Sequence, residues 1–230
     1  MKITRLGHAA VWIEAEKKLL IDPFLSGNPQ ATVAADELSP DFILLSHGHS
    51  DHLGDAIPIA RRCGATIIAP TELADHCSRH GVQAVAGYQG GCFELAPGLA
   101  VTMTTAQHGS GVFEDGSSQY LGVAVGFLIR SADKTVYFAG DTGLFYDMKA
   151  VIGDLHHIDV ALLPIGGVFT MGPADAVVAA GWLAAQTVIP IHYDTFPPIR
   201  QDVAAFKQTL EQTLPGQTVT ILPPGGSLEL

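Results

Sequence analysis

The chain has 230 residues, 47% apolar and 15% charged, which supplies one large α/β core and is too hydrophobic for a disordered chain. A formal net charge of −11, with only 12 Lys plus Arg and no basic run, argues against nucleic-acid binding, whose affinity rests on neutralising phosphates. Cys63, Cys77 and Cys92 are odd in number and lack C-x-x-C spacing, so reduced thiols in a cytoplasmic protein are expected rather than a disulfide framework.

In chain order, Ile3 to Ile13 and Lys18 to Ile21 have strand character, and Asp22-Pro23 stops the second run. The first 21 residues contain no uninterrupted apolar segment and no cleavage pattern, so no leader is expected. Ser26 to Pro40 reads as loop around a short helix. DFILLS (41–46) is too short for a helix and reads as a buried strand running into HGHSDH (47–52). A helix is predicted over 53–64 with Gly64 as its C-cap, then a strand over 65–70. Another helix follows over 71–81, capped by Thr71 and ended by Gly81.

Strands are predicted at 91–95, 99–106, 119–130 and 134–139, and a helix at 145–153. The longest apolar run, Tyr120 to Ile129, is about half of what a bilayer crossing needs, so no membrane partner is expected. IDVALLPIGG (158–167) reads as a buried strand, and Pro173 opens a helix through Ala185. QTVIPIHYDTF (186–196) is a strand reaching His192, followed by a helix from Ile199 to Leu214 and short strands after Thr218. The second half repeats the grammar of the first, and no linker divides the chain. Residues 1–230 are therefore expected to form a single domain, with two sheets face to face and helices outside.

Four predicted strands end in ligand-type residues: at His47, His108, Asp141 and His192. Rigid strand ends are where side chains can be held for chemistry. Within HGHSDH, His47 and His49 point to the same side of an extended segment and can bite one cation. Asp51 and His52 lie beyond a turn and can face a second one. Imidazole and carboxylate suit Zn, with Mn and Fe also compatible. His108 can complete the first site, His192 the second, and Asp141 can bridge both.

H-x-H-x-D-H, followed by a distant His, the Asp of GDTG and a later His, resembles the metallo-β-lactamase superfamily. The phrases GHAAVWIE, LLIDPF, GDTGLFYDM, LPIGGVFTMGP and IPIHYDTFP resemble its little-characterised metal-dependent hydrolases, close to the ascorbate-phosphate lactonases. The resemblance implies a four-layer αββα sandwich and a two-metal centre on His47, His49, Asp51, His52, His108, Asp141 and His192. It implies a hydroxide nucleophile acting on a small ester, lactone, amide or thioester. Asp51 would shuttle the water proton. His8 would stand beside the ligands, positioning them or protonating the leaving group, and Asp22 would orient a ligand His through its other ring nitrogen.

Rival functions are a phosphodiesterase or nuclease using the same centre, and a non-catalytic metal-binding member of the fold. Few cations flank the motifs (Arg5, Arg130 and Arg200), which favours a carbonyl over a phosphoryl substrate. The expected partner is a small molecule, and a closed homo-oligomer is compatible with the chain. His76 and His80 have the i, i+4 spacing of a metal pair, but HCSRH lacks a catalytic Glu, so both are expected to face solvent. His156 and His157 are also read as surface. Thr170, Tyr146, Tyr193 and Phe196 are candidates for pocket lining, with core packing equally compatible for the two Tyr and for Phe196.

Overall fold

The computed structural model describes residues 1–114 and 116–230. Two seven-stranded sheets carry the chain. The first runs in the order β16 (Ser227–Glu229), β1 (Lys2–Gly7), β2 (Ala10–Glu14), β3 (Lys18–Ile21), β4 (Phe42–Leu44), β5 (Thr66–Pro70), β6 (Ala84–Gly87). The second runs β15 (Thr218–Val219), β14 (Thr187–Ile191), β13 (Val160–Pro164), β12 (Lys134–Phe138), β11 (Val125–Ser131), β8 (Leu99–Thr105), β7 (Cys92–Ala96). A separate hairpin joins β9 (Gly111–Glu114) to β10 (Ser117–Tyr120). The helices are α1 (Ser50–Leu53), α2 (Ala56–Cys63), α3 (Thr71–Arg79), α4 (Pro173–Leu183) and α5 (Val203–Thr213). None of the described helices is long and apolar enough to cross a membrane.

The period-two alternation of the strands decides the layering. Leu19, Ile21, Val160 and Leu162 point into the cluster between the sheets, with Phe127, Ile129 and Phe138. Their strand neighbours point outward: Leu20 meets α2 and α3 through Ile59 and Leu73. Ala161 and Leu163 meet α4 and α5 through Ala180 and Phe206. Because both faces of each sheet are covered, the inner strands read as continuous apolar runs. The result is the expected αββα sandwich. Both sheets share one pattern, with three antiparallel pairings followed by three parallel ones.

Several local expectations are corrected. The run from Ile3 to Ile13 is a hairpin rather than one strand, because Gly7 (φ 126°) and His8 (φ 53°) turn the chain back. The run 119–130 is likewise two strands, parted where Gly122 takes φ 80°. Strands β6 and β9, and the short helix α1, were not expected. Residues 145–153 hold a π-helical turn over Met148–Gly153 in place of a regular helix. Thr71 does not cap α3 through its side chain; Pro70 occupies that place, and the Thr71 hydroxyl donates to the Gly87 carbonyl.

Gly54 ends α1 at φ 42°, ψ −123°. A Cβ there would lie 2.4 Å from the Pro23 carbonyl oxygen and 2.7 Å from the Phe24 Cα, both backbone atoms that cannot swing away. Gly54→Ala is expected to destabilise the fold by about 3 kcal/mol. Urea denaturation checks this; an unchanged midpoint would contradict the close approach.

Candidate metal centre

The strand ends that the sheets bring to one edge carry the site. His47 follows β4, His108 follows β8, Asp141 follows β12, His192 follows β14, and His8 sits in the β1–β2 turn. His49 precedes α1, which supplies Asp51 and His52. Two groups form. In the first, His49 Nδ1 lies 3.0 Å from His47 Nε2 and 3.2 Å from His108 Nε2. In the second, ligand atoms of His8, Asp51, His52 and His192 all fall within 4.8 Å of one another. The Asp141 carboxylate stands between them. Its Oδ1 is 3.3 Å from His52 Nε2, and its Oδ2 is 3.0 Å from His192 Nε2 and 3.6 Å from His108 Nε2.

The residues fit a metal. His8 Nε2, His52 Nε2, His192 Nε2 and Asp141 Oδ1 are buried and make no aligned hydrogen bond. Buried polar atoms are ordinarily paired, so four orphans converging on one spot mark a place for a cation.

The rear of the site fixes which nitrogen each imidazole presents. Asp22 is fully buried and accepts from Ser46 N at 2.8 Å, Ser46 Oγ at 2.5 Å and His52 Nδ1 at 2.8 Å. A carboxylate can only accept, so His52 carries its proton on Nδ1 and keeps its lone pair on Nε2. The Ser46 hydroxyl, having donated to Asp22, accepts from His47 Nδ1 at 2.9 Å, which frees His47 Nε2 in the same way. One buried carboxylate thus sets two ligand tautomers.

His8 is fully buried: its Nε2 is 3.3 Å from Asp51 Oδ2, and its Nδ1 is 2.8 Å from the Thr195 hydroxyl. Gln30 accepts from the His8 N–H and from Arg5, whose guanidinium lies 5.0 Å over the Tyr193 ring. His8, Asp22, His192 and Asp194 all take positive φ, backbone strain of about 1 kcal/mol or more each that the surrounding bonds hold in place.

Charge completes the picture. Burial, reinforced by neighbouring imidazoles, pushes the His47 and His108 rings down; burial pushes His8 down to about 4. These rings are neutral at pH 7, the form that ligates. Burial would raise the Asp141 carboxyl, but His52 and His192 hold it well below the carboxylate range. Burial would likewise raise Asp51, and His8 reverses it. His52 is displaced the other way: burial opposes its charge, but Asp141 and Asp22 raise it well above an ordinary imidazole, so with no ion bound Nε2 also takes a proton, in the place that an ion would take instead. The two carboxylates draw positive charge to that spot.

The site opens into a 520 Å³ cavity lined by His49, Asp51, His108, Asp141 and His192, with Val112, Phe113 and Phe169 as apolar walls. Phe113 is 72% exposed and Phe169 58%, so both rings stand at the mouth. A more apolar cavity of 410 Å³, beside Met103, Leu128 and Ile152, contains no cluster of facing ligands among the described residues. The facing ligand-type side chains belong to the first.

All seven expected ligands, His8 and Asp22 thus meet in one place. Tyr193 packs with Arg5 in the interior, Tyr146 stands against Trp182, and Thr170 is buried, so none of the three lines the cavity. Phe196 is exposed, 5.7 Å from the His8 ring, and does not line the cavity either. Sequence reasoning missed Ser46, Thr195, Phe113 and Phe169; the one available signal was Ser46 closing the strand DFILLS beside His47. His76 is corrected: it is 5% exposed, not solvent-facing.

A family model described as "Beta-lactamase superfamily domain" matches residues 17–193. The chain is 49% identical over 231 residues to a UPF0173 metal-dependent hydrolase of Pelotomaculum thermopropionicum, with 100% of both chains covered. It is 51% identical over 232 residues to one of Desulforamulus reducens, again with 100% of both covered. Among solved structures it resembles Igni18, a metallo hydrolase of Ignicoccus hospitalis, with TM-score 0.89 and 37% identity over 100% of this chain and 98% of that one.

Proposed function

The chain belongs to the beta-lactamase superfamily and, within it, to the UPF0173 metal-dependent hydrolases; on that premise we propose that it uses a two-metal centre to hydrolyse a small ester, lactone, amide or thioester. His47, His49 and His108 would hold one divalent ion, and Asp51, His52 and His192 the other. Zn suits this donor set best, and Mn and Fe are compatible with it. The observation that carries the reading is Asp141, whose two oxygens reach histidines of both groups. When bound, two such ions supply Lewis acidity and a water acidified to about neutrality.

The protein's own part follows from where its side chains stand. Asp51 faces the cavity beside His192, placed to accept the proton of an incoming water and return it to the leaving group. His8, itself held by the Thr195 hydroxyl, stands against the Asp51 carboxylate from behind. Val112, Phe113 and Phe169 bury the apolar part of a substrate and exclude water around the reacting carbonyl. The described lining has no Lys or Arg to neutralise a phosphate, which favours an uncharged carbonyl substrate. A cavity of this size takes a small molecule.

Screening the metal-loaded protein against esters, lactones, thioesters and phosphodiesters tests the substrate class. Carbonyl turnover is expected to dominate; phosphodiester turnover alone would overturn it. His8→Gln is expected to lower turnover about 10- to 100-fold while metal remains bound, the cost of losing a residue that orients a ligand. Steady-state kinetics beside elemental analysis check this, and full turnover would remove His8 from the machinery.

A further inference from the structure

A second group of ligand-type side chains lies away from this centre. His76 and His80 are four residues apart at the end of α3, so they project from the same helix face. Their rings lie side by side, centroids 4.4 Å apart and tilted by 45°. Glu114, the last residue of β9, reaches them from the hairpin: its Oε1 is 3.6 Å from His76 Nε2, beyond a hydrogen bond. One ligand atom from each of the three falls within 4.8 Å of the others.

Two details single this cluster out from a solvated His pair. His76 is 5% exposed, and its Nε2 is buried with no hydrogen-bond partner. An unpaired buried ring nitrogen aimed at a carboxylate calls for an explanation. In addition, His80 Nδ1 sits 2.9 Å from the His76 carbonyl. A carbonyl only accepts, so the His80 proton is on Nδ1 and its lone pair is on Nε2, the arrangement of a ligating histidine.

We infer that His76, His80 and Glu114 form a separate site for a divalent transition-metal ion that ties the β9–β10 hairpin to α3. Two imidazoles and one carboxylate are the protein donors of an open Zn site, with water completing the tetrahedron, and they are the wrong set for Ca or Mg. Burial keeps the His76 ring neutral and available. The site has a consequence for access. Phe113, next to Glu114, stands at the mouth of the catalytic cavity, and Gly111 and Val112 line it. An ion gripping Glu114 restrains the strand that forms that wall.

The test compares wild type, His80→Ala and Glu114→Gln, each saturated with Zn²⁺, passed through gel filtration and analysed for metal per chain. His76→Ala is avoided, since a buried truncation can unfold the protein. Wild type is expected to hold about one equivalent more than either variant. The same difference is expected in an Asp141→Ala background, where the catalytic centre is impaired, so the two sites are read independently. Zn²⁺ is also expected to raise hydrogen-exchange protection in β9 and β10 of wild type alone. Equal metal content in all three proteins would overturn the site, whatever the catalytic centre does. Equal protection with unequal metal would overturn the restraint on the hairpin.

Discussion

Asp141→Ala is expected to lose most of its bound metal and to reduce turnover by roughly 10²- to 10³-fold or more, the scale seen when charge stabilisation of a transition state is removed. The reason is position. Asp141 is 3% exposed, and its oxygens approach His52, His192 and His108, so no water or neighbouring side chain replaces both charge and reach. Asp141→Asn separates the two contributions, keeping shape and one acceptor while removing the charge. If charge dominates, Asn resembles Ala in metal content per chain by elemental analysis. About two equivalents in wild type beyond the one assigned to His76, His80 and Glu114, and nearly none beyond that one in either variant, would support the bridged centre. Wild-type metal content in Asp141→Ala would show that the carboxylate does not hold the ions together.

Asp22→Ala is expected to be the most damaging change outside the ligands. It strips acceptors from the Ser46 N–H, the Ser46 hydroxyl and the His52 Nδ1–H, all buried. It also puts alanine at φ 45°, a conformation that Asp tolerates better. A loss of about 3–5 kcal/mol is expected, the range for breaking a buried charged network from one side. Metal affinity should fall a further 10- to 100-fold, because His52 and His47 lose the partner that fixes their tautomers. Urea denaturation in excess chelator reads the first effect, and metal titration of the folded fraction reads the second. An unchanged midpoint in chelator would mean that Asp22 is satisfied by charge alone and does not hold the fold.

The gathering of the candidate ligands was legible because metal chemistry admits few residue types and strand geometry few spacings. HGHSDH states its pairing at period two, and strands ending at Asp141 and His192 announce themselves as apolar runs that stop at a polar residue. The αββα layering was legible for the same reason, since buried parallel strands of four or five apolar residues have few other places to go. What escaped was set by contacts distant in sequence. The hairpin turn at Gly7 and His8 lies within a continuous β-like run, and only the approach of Gln30 to the His8 N–H explains a left-handed histidine there. His76 has the spacing of a surface pair, but Glu114, 38 positions on, folds over it. Ser46 looks like an ordinary strand terminus until Asp22 is placed behind it.

The shared strand pattern of the two sheets assigns matching places to residues far apart in the chain. In each sheet the third antiparallel pairing gives way to the first parallel one at one strand, β3 in the first and β12 in the second. Asp22 leaves the first of these and Asp141 the second, so the carboxylates on either side of His52 are topological counterparts. A doubled architecture thus gives one location two duties: the copy sealed in the interior holds the His52 Nδ1 proton, and the copy open to the cavity would receive the proposed ions. On the proposed centre neither half alone would be active, because residues 47–52 come from one and His108, Asp141 and His192 from the other. Any ion that joins them is also a rivet between the halves, so stripping the metal should slacken the seam before it melts either sheet.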